Sequence, residues 1–140
     1  MKKYILTGTL AALLTLGGLS VPALAGPEDV VVENAWSRAS IGMNRPGAAY
    51  MTIRNTGDEP VTLIGLTTPL AMMPEIHETK TNAEGVSSMS PAGEIAIAPS
   101  VGVALEPGGL HVMLMRLQEP MTEGDTFPLT MLFDDGGEVT

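Results

Sequence analysis

The chain holds two histidines, His77 and His111, and each stands close to methionines. In the run His111-Val112-Met113-Leu114-Met115 an extended backbone would send residues i and i+2 to one face. The imidazole of His111 then points the same way as the thioethers of Met113 and Met115, and alternation alone does not choose between the two. His77 lies in Met73-Pro74-Glu75-Ile76-His77-Glu78-Thr79, where Glu75 and Thr79 share its face and Ile76 takes the other. Met89 follows Gly85 in a segment short enough to return as the second arm of a hairpin from His77. Taken singly these residues have ordinary readings: a methionine in a strand usually packs under a sheet, and a strand histidine is usually half-exposed. Together they offer two imidazole nitrogens and two or more thioether sulfurs, with no thiolate and no obligatory carboxylate. Thioether is a poor ligand for zinc, magnesium or calcium and a good one for Cu(I). A neutral ligand shell also leaves a single positive charge to solvate, which favours the reduced ion. Nothing in the set activates water or a substrate, so the expectation is a metal-binding protein and not an enzyme.

Composition narrows the field in the same direction. There are ten methionines against five aromatic residues, and no cysteine. The missing cysteine excludes thiol redox chemistry, cysteine nucleophiles, zinc-thiolate sites and blue-copper electron transfer. Sixteen acidic residues against seven basic ones give a formal charge of −9, which speaks against nucleic acid as a partner because phosphate binding draws on clustered Lys and Arg. Lys2 and Lys3 precede an apolar run from Tyr4 to Leu19, and Ala23-Leu24-Ala25 offers small residues at a signal-peptidase site. Residues 1–25 are therefore expected to be a signal peptide cleaved after Ala25. Its two lysines leave with it and take the charge from −9 to −11. The apolar run is short for a bilayer span and no cysteine follows it for lipid attachment. The mature chain, residues 26–140, is expected to be one domain with no membrane association.

The elements that must position these side chains are short. Apolar or β-branched segments recur between Gly, Pro, Asn and Asp clusters, and no helical period is sustained. The spacing predicts strands at Val30–Asn34 leading into Trp36, Ala48–Arg54, Val61–Leu66, Glu75–Thr79, Val86–Met89, Glu94–Ala98, Val101–Leu105, His111–Leu117 and Thr126–Phe133. Seven to nine such strands predict an all-β, two-sheet antiparallel sandwich with Greek-key connections. Asn55-Thr56-Gly57-Asp58-Glu59-Pro60 and Pro107-Gly108-Gly109 predict turns. Asp135-Gly136 predicts a hairpin into a very short edge strand at Glu138-Val139-Thr140.

The spacing of the candidate ligands resembles the signature of the periplasmic copper chaperones called PCuAC: a His, eleven residues, a Met, twenty-one residues, then His-x-Met. His77, Met89 and His111-Val112-Met113 match both gaps. The resemblance extends through Asn34-Ala35-Trp36, Ala48-Ala49-Tyr50, Ile76-His77-Glu78, Pro107 to Met115 and Phe133-Asp134-Asp135-Gly136-Gly137. It implies a cupredoxin-like β-sandwich in which His77, Met89, His111 and Met113 hold one Cu(I) per chain near the surface. It also implies delivery of copper in the periplasm to an accepting protein, the dinuclear copper site of a cytochrome c oxidase subunit or another assembly factor; the chain is expected to act as a monomer. Some members carry a His- and Met-rich C-terminal tail, absent here, so a single site is expected. The rival readings are a copper buffer with the same ligands and a non-metal adhesion sandwich in which both histidines are incidental. A copper oxygenase or dismutase fits least, since it would need more nitrogen ligands and an open position for its substrate.

Overall fold

Alternating apolar residues build ten strands among the residues that the computed structural model describes, 27–140; the signal peptide expected at residues 1–25 lies outside them. After a 3-10 turn at Pro27–Asp29 the strands are β1 (Val30–Ser37), β2 (Gly47–Asn55), β3 (Val61–Thr67), β4 (Ala71–Thr81), β5 (Ser87–Pro91), β6 (Ile95–Ile97), β7 (Gly102–Leu105), β8 (Leu110–Leu117), β9 (Thr130–Phe133) and β10 (Glu138–Val139). All pairings are antiparallel. One sheet runs β1-β2-β8-β4-β5, with β7 also on β2, and the other runs β10-β9-β3-β6. The chain crosses between sheets after β2, β3, β5, β6 and β8. This is the all-β, cupredoxin-like Greek-key sandwich expected from the sequence.

The core lies between the two sheets and needs no disulfide, as the chain has no cysteine. Met51, Ile53, Ile76, Leu105, Val112 and Leu114 come from the larger sheet, and Val61, Leu63, Ile97, Met131 and Phe133 from the smaller. Each such side chain contributes about 1.5–3 kcal/mol on burial. Asn55 is the one fully buried polar residue of β2. Its Nδ2 donates to the carbonyls of Glu59 (2.7 Å) and Ile97 (3.1 Å), and its Oδ1 accepts from the Gly57 amide (2.9 Å). It ties the end of β2, the following turn and β6 together where the chain changes sheets.

Three details of the larger sheet set up the site. First, β8 and β7 share one side of β2: β8 pairs at Gly47–Ala49 and β7 takes over from Met51. His111 therefore sits where β8 leaves β2. Second, β4 begins at Ala71, earlier than the predicted Glu75, and runs straight through Pro74. A proline has no ladder donor; here it is tolerated because β5 pairs with β4 only from His77 onward, so Pro74 has β8 alone for a neighbour. Third, β4 and β5 form the anticipated hairpin. Asn82 Oδ1 accepts from the amides of Glu84 and Val86, and Gly85 takes a positive φ of 80° that suits glycine. The last predicted strand starts at Thr130 and not at Thr126, with Pro128 in the irregular approach, and Asp135-Gly136 turns the chain into the two-residue β10.

Candidate metal centre

The register of β4 against β8 sets His77 opposite His111, Glu75 opposite Met113 and Met73 opposite Met115. The residues between them, Ile76 and Val112, also pair and are buried in the core. By alternation both histidines and Met113 belong to the outer face of the sheet. The two imidazole rings lie 6.2 Å apart, centre to centre, and are tilted by 53°. In β5, Pro91 is the direct partner of His77 and Met89 is the partner of Thr79, so Met89 stands diagonally from His77. Diagonal neighbours across a sheet are about 7–8 Å apart and within reach of long side chains. The fold thus gathers His77, Met89, His111 and Met113 onto one patch spanning β5, β4 and β8. Register also separates the two methionines that alternation left equivalent: Met113 is one pair from the histidines and Met115 is two.

His111 has one ring nitrogen held and the other without a partner. The residue is only 4% exposed although it lies on the outer face. Its Nδ1 is 3.0 Å from the carbonyl oxygen of Gly109. A carbonyl can only accept, so Nδ1 carries the hydrogen and Nε2 carries the lone pair. That Nε2 is buried and has no hydrogen-bond partner. Leaving such an acceptor unsatisfied costs about 1–3 kcal/mol. A metal-binding imidazole ordinarily has this arrangement, with one ring N–H held by a backbone carbonyl and the other nitrogen free to ligate. The Pro107-Gly108-Gly109 turn is what presents the Gly109 carbonyl, with Gly108 at a φ of +87° and the Gly109 amide bonded back to Glu106.

His77 is held from its own strand. Its Nε2 lies 3.1 Å from Oε2 of Glu75, two residues away on the same face. When Nε2–H donates to that carboxylate, Nδ1 carries the lone pair. The side chain of His77 is mostly covered, at 12% exposure. Met89 is the opposite case, at 60%. The patch is therefore graded from a buried nitrogen on β8 to a thioether in water at the β4–β5 hairpin.

Sequence reasoning placed Glu75 on the face of His77 but did not identify it as a partner. Tyr50 was not singled out either: it is buried on β2 beside the point where β8 departs, stacked on Trp36 with ring centres 4.5 Å apart. The Arg38 guanidinium lies 5.8 Å from the Trp36 ring and 5.9 Å from the Tyr50 ring. Aromatic residues facing each other across β1 and β2 were the available signal, but the fork that brings Tyr50 near β8 was not legible. Among the described residues no three His, Cys, Asp or Glu side chains gather as a metal-binding group. A metal on this patch would therefore depend on the thioethers. A large cleft lined by Arg38, Leu70, Met121 and Phe127 lies elsewhere and contains neither histidine.

Comparison with known proteins agrees with this architecture. A family model described as "Putative lipoprotein LpqE-like" matches residues 30–140. The Leifsonia xyli subsp. xyli protein "Putative lipoprotein Lxx21020" is 33% identical over 138 residues, covering 93% of this chain and 81% of the relative. The copper-bound PCuAC domain from PmoF2 superposes with a TM-score of 0.64 at 25% identity, covering 79% of this chain and 86% of that one. The Cu(I) form of DR1885 from Deinococcus radiodurans gives a TM-score of 0.57 at 34% identity, with 89% and 78% covered. With the whole described sandwich inside the family match, the chain belongs to the LpqE-like family and shares the fold of the solved PCuAC domains.

Proposed function

We propose that this protein is a Cu(I)-binding metallochaperone, not an enzyme, and that His77, Met89, His111 and Met113 hold one copper ion as cargo. The observation that carries the reading is the buried, unpartnered Nε2 of His111, whose tautomer is fixed by the Gly109 carbonyl and which faces the same side as Met113. Two thioethers in reach of two imidazoles select a soft monovalent cation. The copper-bound PCuAC domain from PmoF2 and the Cu(I) form of DR1885 support the same cargo. Membership of a family described as lipoproteins supports export, and the signal-like start of the chain supports delivery in the periplasm.

The graded exposure of the ligands gives a route for release. An acceptor approaching the sheet meets Met89 first, because it stands in water, and His111 last. Thiolates are charged, softer and stronger ligands than thioethers, so ligand-by-ligand exchange runs toward a cysteine-containing acceptor while copper stays in the reduced state. The dinuclear copper site of cytochrome c oxidase is an acceptor of that chemistry. The test is to mix the copper-loaded protein with a reduced, copper-free oxidase domain, separate the two and measure copper on each. Copper is expected on the acceptor, and it should stay behind when the acceptor's cysteines are changed to serine. Copper that remains on this protein when the thiols are intact would favour copper storage instead.

A further inference from the structure

The methionines of the described residues fall into separate groups. Met51, Met121 and Met131 belong to the core, Met43 and Met72 are exposed and have no partner in the β4–β8 register, and the remaining four, Met73, Met89, Met113 and Met115, lie outside the core at paired positions of β4, β5 and β8. Only Met89 and Met113 are used by the site above. The other two stand directly opposite each other, Met73 on β4 and Met115 on β8. They form the third of three successive pairs: His77 with His111, Glu75 with Met113, and Met73 with Met115. All six positions are odd-numbered on their strands and share the outer face by alternation.

Met73 is 37% exposed and Met115 is half-buried, so neither is engaged as tightly as the core methionines, which are at most 7% exposed. Residues directly opposite in an antiparallel pair have Cβ atoms about 4.5–5.5 Å apart, and each further pair along the strand adds about 6.8 Å. Thioethers on three rotatable bonds can converge on one ion across the first distance and hand it over across the second. Met113 lies at the midpoint between the histidine pair and the Met73–Met115 pair. The Glu75 carboxylate, 41% exposed and bonded to His77, places a negative charge in the same middle row. Beyond Pro74 toward its start, β4 has no β5 alongside, so Met73 stands at an open end of the sheet, opposite in direction to the Met89 rim.

We propose that Met73 and Met115 form a second Cu(I) station, a thioether-only site adjoining the first through Met113. This rests on the copper-binding reading of His77, Met89, His111 and Met113. The station lacks imidazole and is the weaker of the two, filled only after the first. It takes up or passes on Cu(I) by ligand exchange at Met113, with no change of oxidation state. It also gives the site a second way in, so that loading at one end and transfer at the other need not collide.

The experiment is an anaerobic Cu(I) titration of the full chain labelled with 13C at the methionine methyls, followed by NMR and by copper retention against a weak competing chelator. The first equivalent is expected to shift the Met89 and Met113 methyls, and the second to shift those of Met73 and Met115. The double variant Met73→Leu, Met115→Leu should then retain one equivalent where the parent retains two, with the first bound at unchanged affinity, because leucine conserves volume and removes only sulfur. Met72→Leu is the control, since Met72 is 65% exposed and has no partner in the register that pairs Met73 with Met115, and the change should leave both equivalents in place. Met73 and Met115 methyls that stay unmoved at excess copper, or a double variant that still retains the second equivalent, would overturn the second station. The first site is judged separately on Met89 and Met113: if those two do not respond to the first equivalent, the proposed ligand set fails whatever Met73 and Met115 do.

Discussion

His111→Leu separates a histidine kept for a ligand from one kept for the fold. In the metal-free protein the substitution removes a buried nitrogen without a partner, which relieves about 1–3 kcal/mol of desolvation cost. It also removes the Nδ1–H bond to the Gly109 carbonyl, a loss of about 0.5–1.5 kcal/mol. That carbonyl is not orphaned, because the Thr79 amide donates to it at 3.1 Å. The difference leaves the apo variant more stable than the parent by about 0.5–1.5 kcal/mol, a rise in melting temperature of roughly 2–10 °C for a domain of this size. Copper reverses the order. A free Cu(I) concentration of 100 times the Kd stabilises the parent by about 2.7 kcal/mol, and the variant, lacking a ligand, gains little. Urea melts of both proteins, with and without Cu(I), measure all four quantities. An apo variant destabilised by 2 kcal/mol or more would refute the reasoning, since it would mean that the imidazole is a satisfied structural residue.

Other expectations follow from the same geometry. Met113→Leu should weaken binding of the first copper equivalent beyond the roughly 10–100-fold that outer partners of a metal site are worth, whereas Met115→Leu should leave that first affinity unchanged; competition against a Cu(I) chelator reads both. Asn55→Ala removes three hydrogen bonds at the end of β2 and should cost about 3 kcal/mol in a denaturant melt, with copper affinity of the folded fraction unaltered. Leu114→Ala, at a fully buried position on β8 behind the site, should cost about 2–5 kcal/mol by the same assay.

Much of this was legible before the fold was known, and the limits have physical causes. Alternation along β8 placed His111, Met113 and Met115 together on one face, but both faces of that run are apolar, and only the packing shows that Val112 and Leu114 enter the core. What one strand cannot encode is its neighbour. That His77 lies opposite His111, and Met113 nearer than Met115, depends on β4 and β8 becoming adjacent although 33 residues lie between the two histidines, a pairing that arises from the Greek-key path. The start of β4 was missed because Pro74 signals a break, and only the absence of β5 at that level makes the proline harmless. Met73 was hidden with it. In β1 the register shifts between Glu33 and Trp36, with Asn34 at a φ of +52°, so simple alternation from Val30 would have sent Trp36 to the wrong side. The Gly109 carbonyl that sets the His111 tautomer is a backbone group in a turn, and residue types alone give no sign of it.

The central claim is the identity of the ligands, and copper K-edge X-ray absorption on the protein loaded with one equivalent of Cu(I) tests it most directly. The account predicts a reduced copper ion whose nearest shell contains two imidazole nitrogens and two thioether sulfurs, with one sulfur lost in Met89→Leu and one in Met113→Leu. A shell of nitrogen and oxygen only, or a spectrum unchanged in both methionine variants, would contradict it.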